Sequence, residues 1–222
     1  MQNPRECALD VLIKVDKKEE LSHIAISNVL EKYQFSEKRD RAFFTRLVEG
    51  TLERQITIDY VADQFSKTKI RKCKPLIRVL LRMGIYQILY MDQVPDSAAC
   101  NEAVKLAKKR GFSRLSGFVN GVLRTITRNK EEILNSESAF WQELQKNPVR
   151  ALSVRYSVPE WMISLWEAQY GEEKTEPMLE RLKNGRPLTI RLDSRLTEEE
   201  KAQEIAAIEA EGVTVQKHQL YA

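Results

Sequence analysis

Cysteine and histidine are scarce in this 222-residue sequence, which limits the chemistry that it can support. The three cysteines, Cys7, Cys73 and Cys100, are odd in number and lack paired spacing, which argues against a disulfide framework and against a zinc site. The two histidines, His23 and His218, are isolated, so we interpret them as structural or surface residues. No cluster of carboxylates suggests a metal site, and we expect no bound metal ion.

Long apolar runs are also few. The first residues lack the apolar segment of a signal peptide, so the expected location is cytoplasmic. Residues 74–91 could be compared with a membrane span, but the stretch is barely long enough and carries Arg78 and Arg82 in its first half. We therefore predict no membrane contact and a buried central helix that begins near Pro75. Because Arg78 and Arg82 are four residues apart, they share one helix face, which we expect at the surface.

Charge is distributed unevenly along the chain. Residues 1–130 contain 25 Lys and Arg against 15 Asp and Glu, a net charge of +10, whereas residues 131–222 contain 11 against 17, a net charge of −6. The hydrophobic content of 42% is enough for a proper core. A basic half joined to an acidic half indicates two modules, of which the first has a polyanionic partner.

Helix signals cover the basic half. Asn3 is the predicted cap of the first helix, and a break near Gln55 separates two later helices. Apolar residues recur at helical spacing in each segment, which is more typical of a core than of a cofactor site. Gly117 and Gly121 lie four residues apart, and we predict that they allow a neighbouring helix to approach closely. The prediction for residues 1–130 is therefore an all-helical domain.

Two long segments of the basic half contain no acidic residue. Seven basic residues lie between Asp63 and Asp92, and eight lie from Ala103 to Lys130. Such runs are typical of surfaces that bind nucleic-acid phosphates. The alternatives are a solvated linker for the first run and, for part of the second, the preference of helix C-termini for cations. The predicted nucleic-acid-binding residues are Lys67, Lys69, Arg71, Lys72, Lys74, Arg78, Arg82, Lys105, Lys108, Lys109, Arg110, Arg114, Arg124 and Arg128.

The acidic half begins with a predicted helical linker at residues 131–155. Pro159 marks the start of a further helix that carries Trp161 and Trp166. Two tryptophans could stack on bases, but at this spacing a place in the core or between domains is the better interpretation.

The last part of the chain has signals of mixed structure. Alternating residues at 187–192 and the run at 213–216 predict two strands, and a capping box at Thr197 predicts a helix between them. A short strand–helix–strand connection implies two parallel strands in one sheet. We therefore predict a small α/β domain over residues 156–222.

Three stretches of the basic half together resemble a known family. Residues 76–90 (LIRVLLRMGIYQILY), 94–104 (VPDSAACNEAV) and 117–124 (GFVNGVLR) resemble the NusB-like domain of bacterial antitermination factors, a resemblance that extends over residues 4–129. It is strongest to the version at the N-terminus of bacterial small-subunit rRNA cytosine methyltransferases, the RsmB (Sun/Fmu) family. Residues 156–161 and 186–193 likewise resemble the start of the ferredoxin-like domain that precedes the catalytic domain in that family.

The resemblance implies a mainly α fold, with a NusB-like helical RNA-binding bundle followed by a small, incomplete α/β, ferredoxin-like segment. It implies small-subunit rRNA and a downstream methyltransferase domain in the same polypeptide as partners, and leaves open a ribosomal protein. S-adenosylmethionine is implied as the cofactor of the full-length protein. The catalytic domain of the family has Pro-Cys and Thr-Cys motifs and a Gly-rich turn. This chain has neither motif and no such turn, so we expect no catalytic residue and no cofactor site in it.

The predicted function is to bind rRNA and position it for a catalytic domain. One alternative is a stand-alone antitermination protein, although the residues from Tyr156 onward speak against it because such factors end after the bundle. Another is a protein-interaction bundle, which would show no salt-dependent affinity for RNA. The sequence further predicts that reversing Lys108, Lys109 and Arg110 to Glu lowers affinity for rRNA without unfolding the bundle.

Overall fold

The computed structural model describes residues 3–32, 37–183 and 188–217, and these residues form two compact units, 1–179 and 180–222. The helices of the basic half are α1 (Pro4–Asp16), α2 (Ser22–Lys32), α3 (Lys38–Glu53), α4 (Gln55–Phe65), α5 (Pro75–Tyr90), α6 (Asp96–Lys109) and α7 (Ser116–Arg128). The later helices are α8 (Lys130–Leu134), α9 (Ala139–Gln142), α10 (Pro148–Tyr156), α11 (Glu160–Tyr170), α12 (Glu172–Lys183) and α13 (Glu198–Ala210). Short 3₁₀ turns occur at Ile70–Lys72, Ser113–Leu115 and Leu144–Lys146.

Helix α5 is the centre of the first unit, as the sequence predicts. It starts at Pro75, whose missing N–H suits a first helical turn, and helices α1, α3, α4, α6 and α7 pack around it. Leu81, Ile85 and Ile88 are completely buried. Burial of each such side chain contributes roughly 1.5–3 kcal/mol, so this one helix supplies much of the hydrophobic stabilisation. No helix among the described residues is long and apolar enough to cross a membrane.

Local signals set the ends of several helices. The Asn3 side chain accepts a hydrogen bond from the Arg5 N–H at 2.9 Å, which confirms the predicted cap of α1. The predicted break near Gln55 is also present, since Arg54 separates α3 from α4. These ends follow from residues next to each other in the sequence, so sequence patterns alone could locate them.

The close helix contacts involve other glycines than the two predicted. A Cβ atom at Gly117 or Gly121 would have no neighbour within 4 Å, so the prediction that these residues admit a neighbouring helix is wrong. A Cβ atom at Gly84 would lie 2.7 Å from a Leu123 methyl, and one at Gly50 would overlap the phenol ring of Tyr86. Helix α5 therefore meets α7 at Gly84, and its Tyr86 side chain packs directly on the α3 backbone at Gly50.

Residues 131–155 do not extend away from the bundle. Trp141 stacks on Tyr60 of α4 with ring centroids 5.7 Å apart, and Phe140 contacts both rings. The Thr57 hydroxyl donates to the Val154 carbonyl at 2.5 Å, so α10 is fixed against α4. The segment packs as part of the first unit, and the domain boundaries expected at residues 130 and 155 both fall inside that unit.

The last part of the first unit has a second, smaller hydrophobic core. It is formed by Tyr156, Ile163 and Leu179, and Trp166 packs against it as expected. Trp161 does not belong to it, because 67% of its surface is exposed. Only one of the two tryptophans of α11 therefore has a core role in this unit.

The second unit contains α13, and the two predicted strands do not form in its described part. The predicted capping box is confirmed, since the Thr197 hydroxyl accepts the Glu200 N–H and the Glu200 carboxylate accepts the Thr197 N–H. No strand is assigned to residues 188–192 or 213–217, and Pro187 and Arg186 lie outside the described residues. A strand needs a neighbouring ladder and a buried face, yet Leu188 is 89% exposed.

Candidate nucleic-acid interface

The two basic runs of the sequence meet at one end of the bundle. The short connections at residues 91–95 and 110–115 make α5, α6 and α7 successive antiparallel neighbours. The first turn of α5, the last turn of α6 and the first turn of α7 therefore lie at the same end. The Lys74 ammonium lies 5.5 Å from the centroid of the Phe112 ring, which joins the two runs directly.

Six exposed cations form what we call the basic end. Five of these side chains form no ion pair or hydrogen bond with another described residue, and the sixth, Lys74, contacts the Phe112 ring. Lys69 lies beside them and has only a long contact, 3.8 Å, with Asp63. Unpaired cations that lie close together attract phosphate groups at low desolvation cost, so this end is the strongest candidate for RNA contact. The basic end consists of Lys67, Arg71, Lys72, Lys74, Lys108 and Arg114.

The cations at the end of α6 mostly have partners already. Lys109 pairs with Glu6 at 2.7 Å, and Arg110 pairs with Asp10 at 2.6 Å and with Glu6 at 3.3 Å. Lys105 pairs with Glu102 of its own helix at 2.7 Å. Lys109 and Arg110 thus tie α6 to α1. Reversal of these two residues to Glu would place carboxylates beside carboxylates, so the triple reversal expected to spare the fold is not a clean test of RNA binding.

Arg78 and Arg82 are structural ion-pair residues in this bundle. The prediction that their shared face lies at the surface is wrong for Arg82, whose side chain is 9% exposed. The Arg82 guanidinium donates to Asp59 and to Asp16 at 2.7 Å. Arg78 also binds Asp16, with its Nε 3.0 Å from Oδ1. The two acids neutralise both arginines, which leaves neither guanidinium directed at a ligand.

The two carboxylates of this network respond differently to burial. Burial opposes ionisation of Asp16, but its hydrogen bonds and charge interactions with Arg78 and Arg82 outweigh that effect, and the pKa of Asp16 lies below its ordinary value. At Asp59 burial is the larger effect, and the pKa of that carboxyl lies above its ordinary value in spite of Arg82. Arg82 is therefore the main group that favours the ionised form of Asp59, and Arg78 adds a smaller effect of the same sign.

The remaining predicted residues, Arg124 and Arg128, lie further along α7. Both are exposed; Arg124 donates to the Asn120 side chain at 3.1 Å, and Arg128 donates to the Arg124 carbonyl at 3.3 Å. At 1.5 Å per residue, Arg128 lies roughly 20 Å along the helix from Arg114. They form a separate basic surface and are not part of the basic end.

Residues 2–128 match the NusB family. The chain belongs to the NusB family. Residues 158–222 match a second domain, the ferredoxin-like domain of RsmF/B-like methyltransferases. The match to this domain contrasts with the lack of strands among the described residues of 188–217.

Relatives fall into two groups. The "Probable ribosomal RNA small subunit methyltransferase B" of Bacillus subtilis is 35% identical over 216 residues, which are 97% of this chain and 46% of the relative. Its counterpart from Synechocystis is 34% identical over 212 residues. The transcription antitermination protein NusB of Bacillus velezensis is 36% identical over 123 residues, 55% of this chain and 91% of that protein. The chain thus spans about half the length of the methyltransferases it matches.

Solved structures support the same fold. NusB in the crystal structure of the antitermination factors NusB and NusE with double-stranded RNA has a TM-score of 0.52 at 23% identity, and covers 57% of this chain and 94% of that one. The crystal structure of PH0851 has a TM-score of 0.59 at 18% identity, and covers 99% of this chain and 47% of that one. The NusB-like helical fold is therefore shown for the bundle.

Metal-ligating side chains and cysteines are the remaining residues with potential chemistry in the described part of the chain. No group of three or more His, Cys, Asp or Glu side chains there is arranged to hold a metal ion. Cys73 lies between two lysines, which could suggest a reactive thiolate, but burial raises the pKa of its thiol. Burial also raises the pKa of Cys100. His218 lies outside the described residues.

Proposed function

We propose that this chain is the RNA-binding region of an S-adenosylmethionine-dependent rRNA cytosine-C5 methyltransferase. The observation that carries the proposal is the similarity to two ribosomal RNA small subunit methyltransferases B, which runs through both the NusB domain and the residues after it. In this proposal the chain works in the cytoplasm and holds small-subunit rRNA. A catalytic domain in the same polypeptide binds S-adenosylmethionine and methylates the base.

In this proposal the basic end makes the RNA contacts. Its exposed cations lie on three chain segments brought together by helix packing, which suits a rigid surface for backbone phosphates. Contacts of this kind release counterions, so the affinity falls as salt rises. Arg78, Arg82, Lys109 and Arg110 support this surface through their ion pairs and stay outside the proposed set of direct contacts.

Neutralising the basic end tests this assignment. We expect the triple variant Lys72→Gln, Lys74→Gln and Arg114→Gln of the full chain to bind a small-subunit rRNA transcript about tenfold more weakly. The slope of log affinity against log salt should fall by about three, roughly one for each cation that no longer neutralises a phosphate. Fluorescence anisotropy over a series of salt concentrations measures both quantities.

A variant with the same loss of charge elsewhere is the control. Lys146, Arg155 and Lys174 are exposed on the acidic half, and their replacement by Gln should leave the affinity and the slope close to those of the parent chain. Circular dichroism shows whether both variants stay folded. A folded basic-end variant with the affinity and slope of the parent chain would rule out this surface.

A second candidate is a stand-alone antitermination protein. It is favoured by the NusB proteins of two Bacillus species, which match the bundle over 91% and 95% of their own length. The intact mass of the native polypeptide in its source cell separates the two. The methyltransferase proposal expects about 50 kDa, because this 25.8 kDa chain is about half the length of those relatives. A native mass near 25.8 kDa would support the antitermination function instead.

A further inference from the structure

A groove of about 870 Å³ runs along one face of α3, apart from the cations of the candidate interface. Its floor is a stripe of α3 residues that recur every three or four positions from Lys38 to Glu53. Leu30 of α2 and Tyr86 of α5 form its walls. At 1.5 Å per residue the stripe is roughly 22 Å long, which is room for an extended or helical segment of a partner.

The Tyr86 hydroxyl is a polar group that a ligand in this groove can reach. The residue is 93% buried, since only 7% of its surface is exposed, and it lines the groove. Its hydroxyl makes no hydrogen bond with another residue that the structure describes. Among the described residues the only fully buried side-chain polar atom without a partner is Arg110 Nε, so the Tyr86 oxygen is accessible from the groove. A polar group of a bound ligand could be the partner of this oxygen.

The charges along the floor change sign from one end to the other. Lys38 and Arg41 lie at the start of α3 and Arg46 at its middle, whereas Glu49 and Glu53 lie towards its end. The helix dipole favours the opposite order, with acids at the N-terminus and cations at the C-terminus. The stability of α3 therefore does not account for this arrangement, and departures of this kind are expected at functional sites.

The groove is separate from the basic end. Arg46 donates to the carbonyl of Tyr90, at the C-terminal end of α5, at 3.4 Å. Gly50 contacts Tyr86, so α3 runs antiparallel to α5. The cationic end of the groove thus lies near the end of α5, whereas the basic end surrounds its start. Glu49 and Glu53 lie on the side of the groove nearer the basic end, so no continuous cationic path joins the two.

We propose that this groove docks an amphipathic segment of a protein partner. The acidic end of the segment lies over Lys38 and Arg46, and its basic end lies over Glu49 and Glu53. Apolar side chains in its middle contact Leu30, and one polar group bonds the Tyr86 hydroxyl. This interaction goes beyond RNA binding and does not depend on it.

Charge favours a protein segment over RNA as the occupant of the groove. The two carboxylates would repel the uniformly anionic backbone of RNA, whereas a segment with charges of both signs matches both ends. A short segment with reversed charges also fits the length of the floor. Binding of a second copy of this chain would instead appear as self-association.

Selection from a phage-displayed library of random 15-residue peptides against the immobilised full chain tests the proposal. We expect enriched peptides to carry acids in one half and Lys or Arg in the other, with apolar residues between them. A synthetic copy of an enriched peptide should bind the variant Lys38→Glu, Arg46→Glu about tenfold or more weakly. It should bind Tyr86→Phe about fivefold more weakly, since that change removes only the hydroxyl.

Rescue separates a direct charge interaction from a defect in folding. A peptide whose acids are replaced by Lys should regain affinity for the Lys38→Glu, Arg46→Glu variant. The matched control variant, Lys146→Glu with Lys174→Glu, changes charge equally and should bind the original peptide as the parent chain does. The proposal is overturned when enriched peptides show no charge polarity or bind the groove variants unchanged. Displacement of the peptide by rRNA would make RNA the occupant of the groove. Self-association that the groove variants abolish would make a second copy of the chain the occupant. Either result overturns the proposal.

Discussion

Replacement of Arg82 by methionine is expected to destabilise the bundle by about 3 kcal/mol at pH 7, the lower end of the range for breaking a buried ion pair, because it leaves two partly buried carboxylates short of a partner. Arg82 is the only cation hydrogen-bonded to Asp59 among the described residues, and it shares Asp16 with Arg78. Methionine fills a similar volume, so the loss comes from the charges and not from a cavity. Urea denaturation followed by far-UV circular dichroism measures the free energy of unfolding.

The deficit of the Arg82→Met variant should shrink as the pH falls. Burial already raises the pKa of Asp59 in the parent chain, and loss of Arg82 raises it further. A carboxyl whose pKa is higher in the folded than in the unfolded state binds its proton more tightly in the fold. Acid therefore stabilises the variant relative to neutral pH, over the range below the raised pKa of Asp59.

Two further variants separate this network from a general effect of charge loss. Lys69→Met removes an exposed cation with a 3.8 Å contact, and should cost less than about 1 kcal/mol. Arg82→Met combined with Asp59→Leu removes the unpaired, partly buried carboxylate, and should recover much of the lost stability. A deficit below about 1 kcal/mol for Arg82→Met alone, or one that does not change with pH, would show that the network stabilises little.

The same network shows where sequence reasoning stops. Helix α5 could be located from its apolar residues and from Pro75, since both signals lie within the helix itself. The partners of Arg82 lie 23 and 66 residues away in the sequence, and spacing within one helix carries no information on contacts at that range. A run of cations thus looked like one phosphate-binding surface, although two of its members are neutralised inside the fold.

A signal for the paired cations of α6 was nonetheless present in the sequence. Glu6 and Asp10 lie four residues apart, so they form an acidic edge on α1. Such an edge, when it is packed against another helix, needs cationic partners from that neighbour, and Lys109 and Arg110 supply them. The groove on α3 had no comparable signal, because its lining comes from three separate helices.

Gly50→Ala is expected to cost about 3 kcal/mol, the upper part of the usual range for overpacking a buried contact. The added Cβ would overlap the phenol ring of Tyr86, which is itself 7% exposed and has no open side to move to except the groove. Gly121→Ala is the matched control, because it makes the same change within a helix where nothing lies within 4 Å of the new atom. It should stabilise by roughly 0.5–1 kcal/mol through helix propensity.

A double-mutant cycle with Tyr86→Ala attributes the cost of Gly50→Ala to this one contact. With the phenol ring removed, the alanine at position 50 has room, and the gain in helix propensity should make the substitution neutral or slightly stabilising. The sign of the Gly50→Ala effect should therefore reverse between the two backgrounds. An equal cost in both would place the strain elsewhere in α3, and would mean that Tyr86 does not fix the distance between α3 and α5.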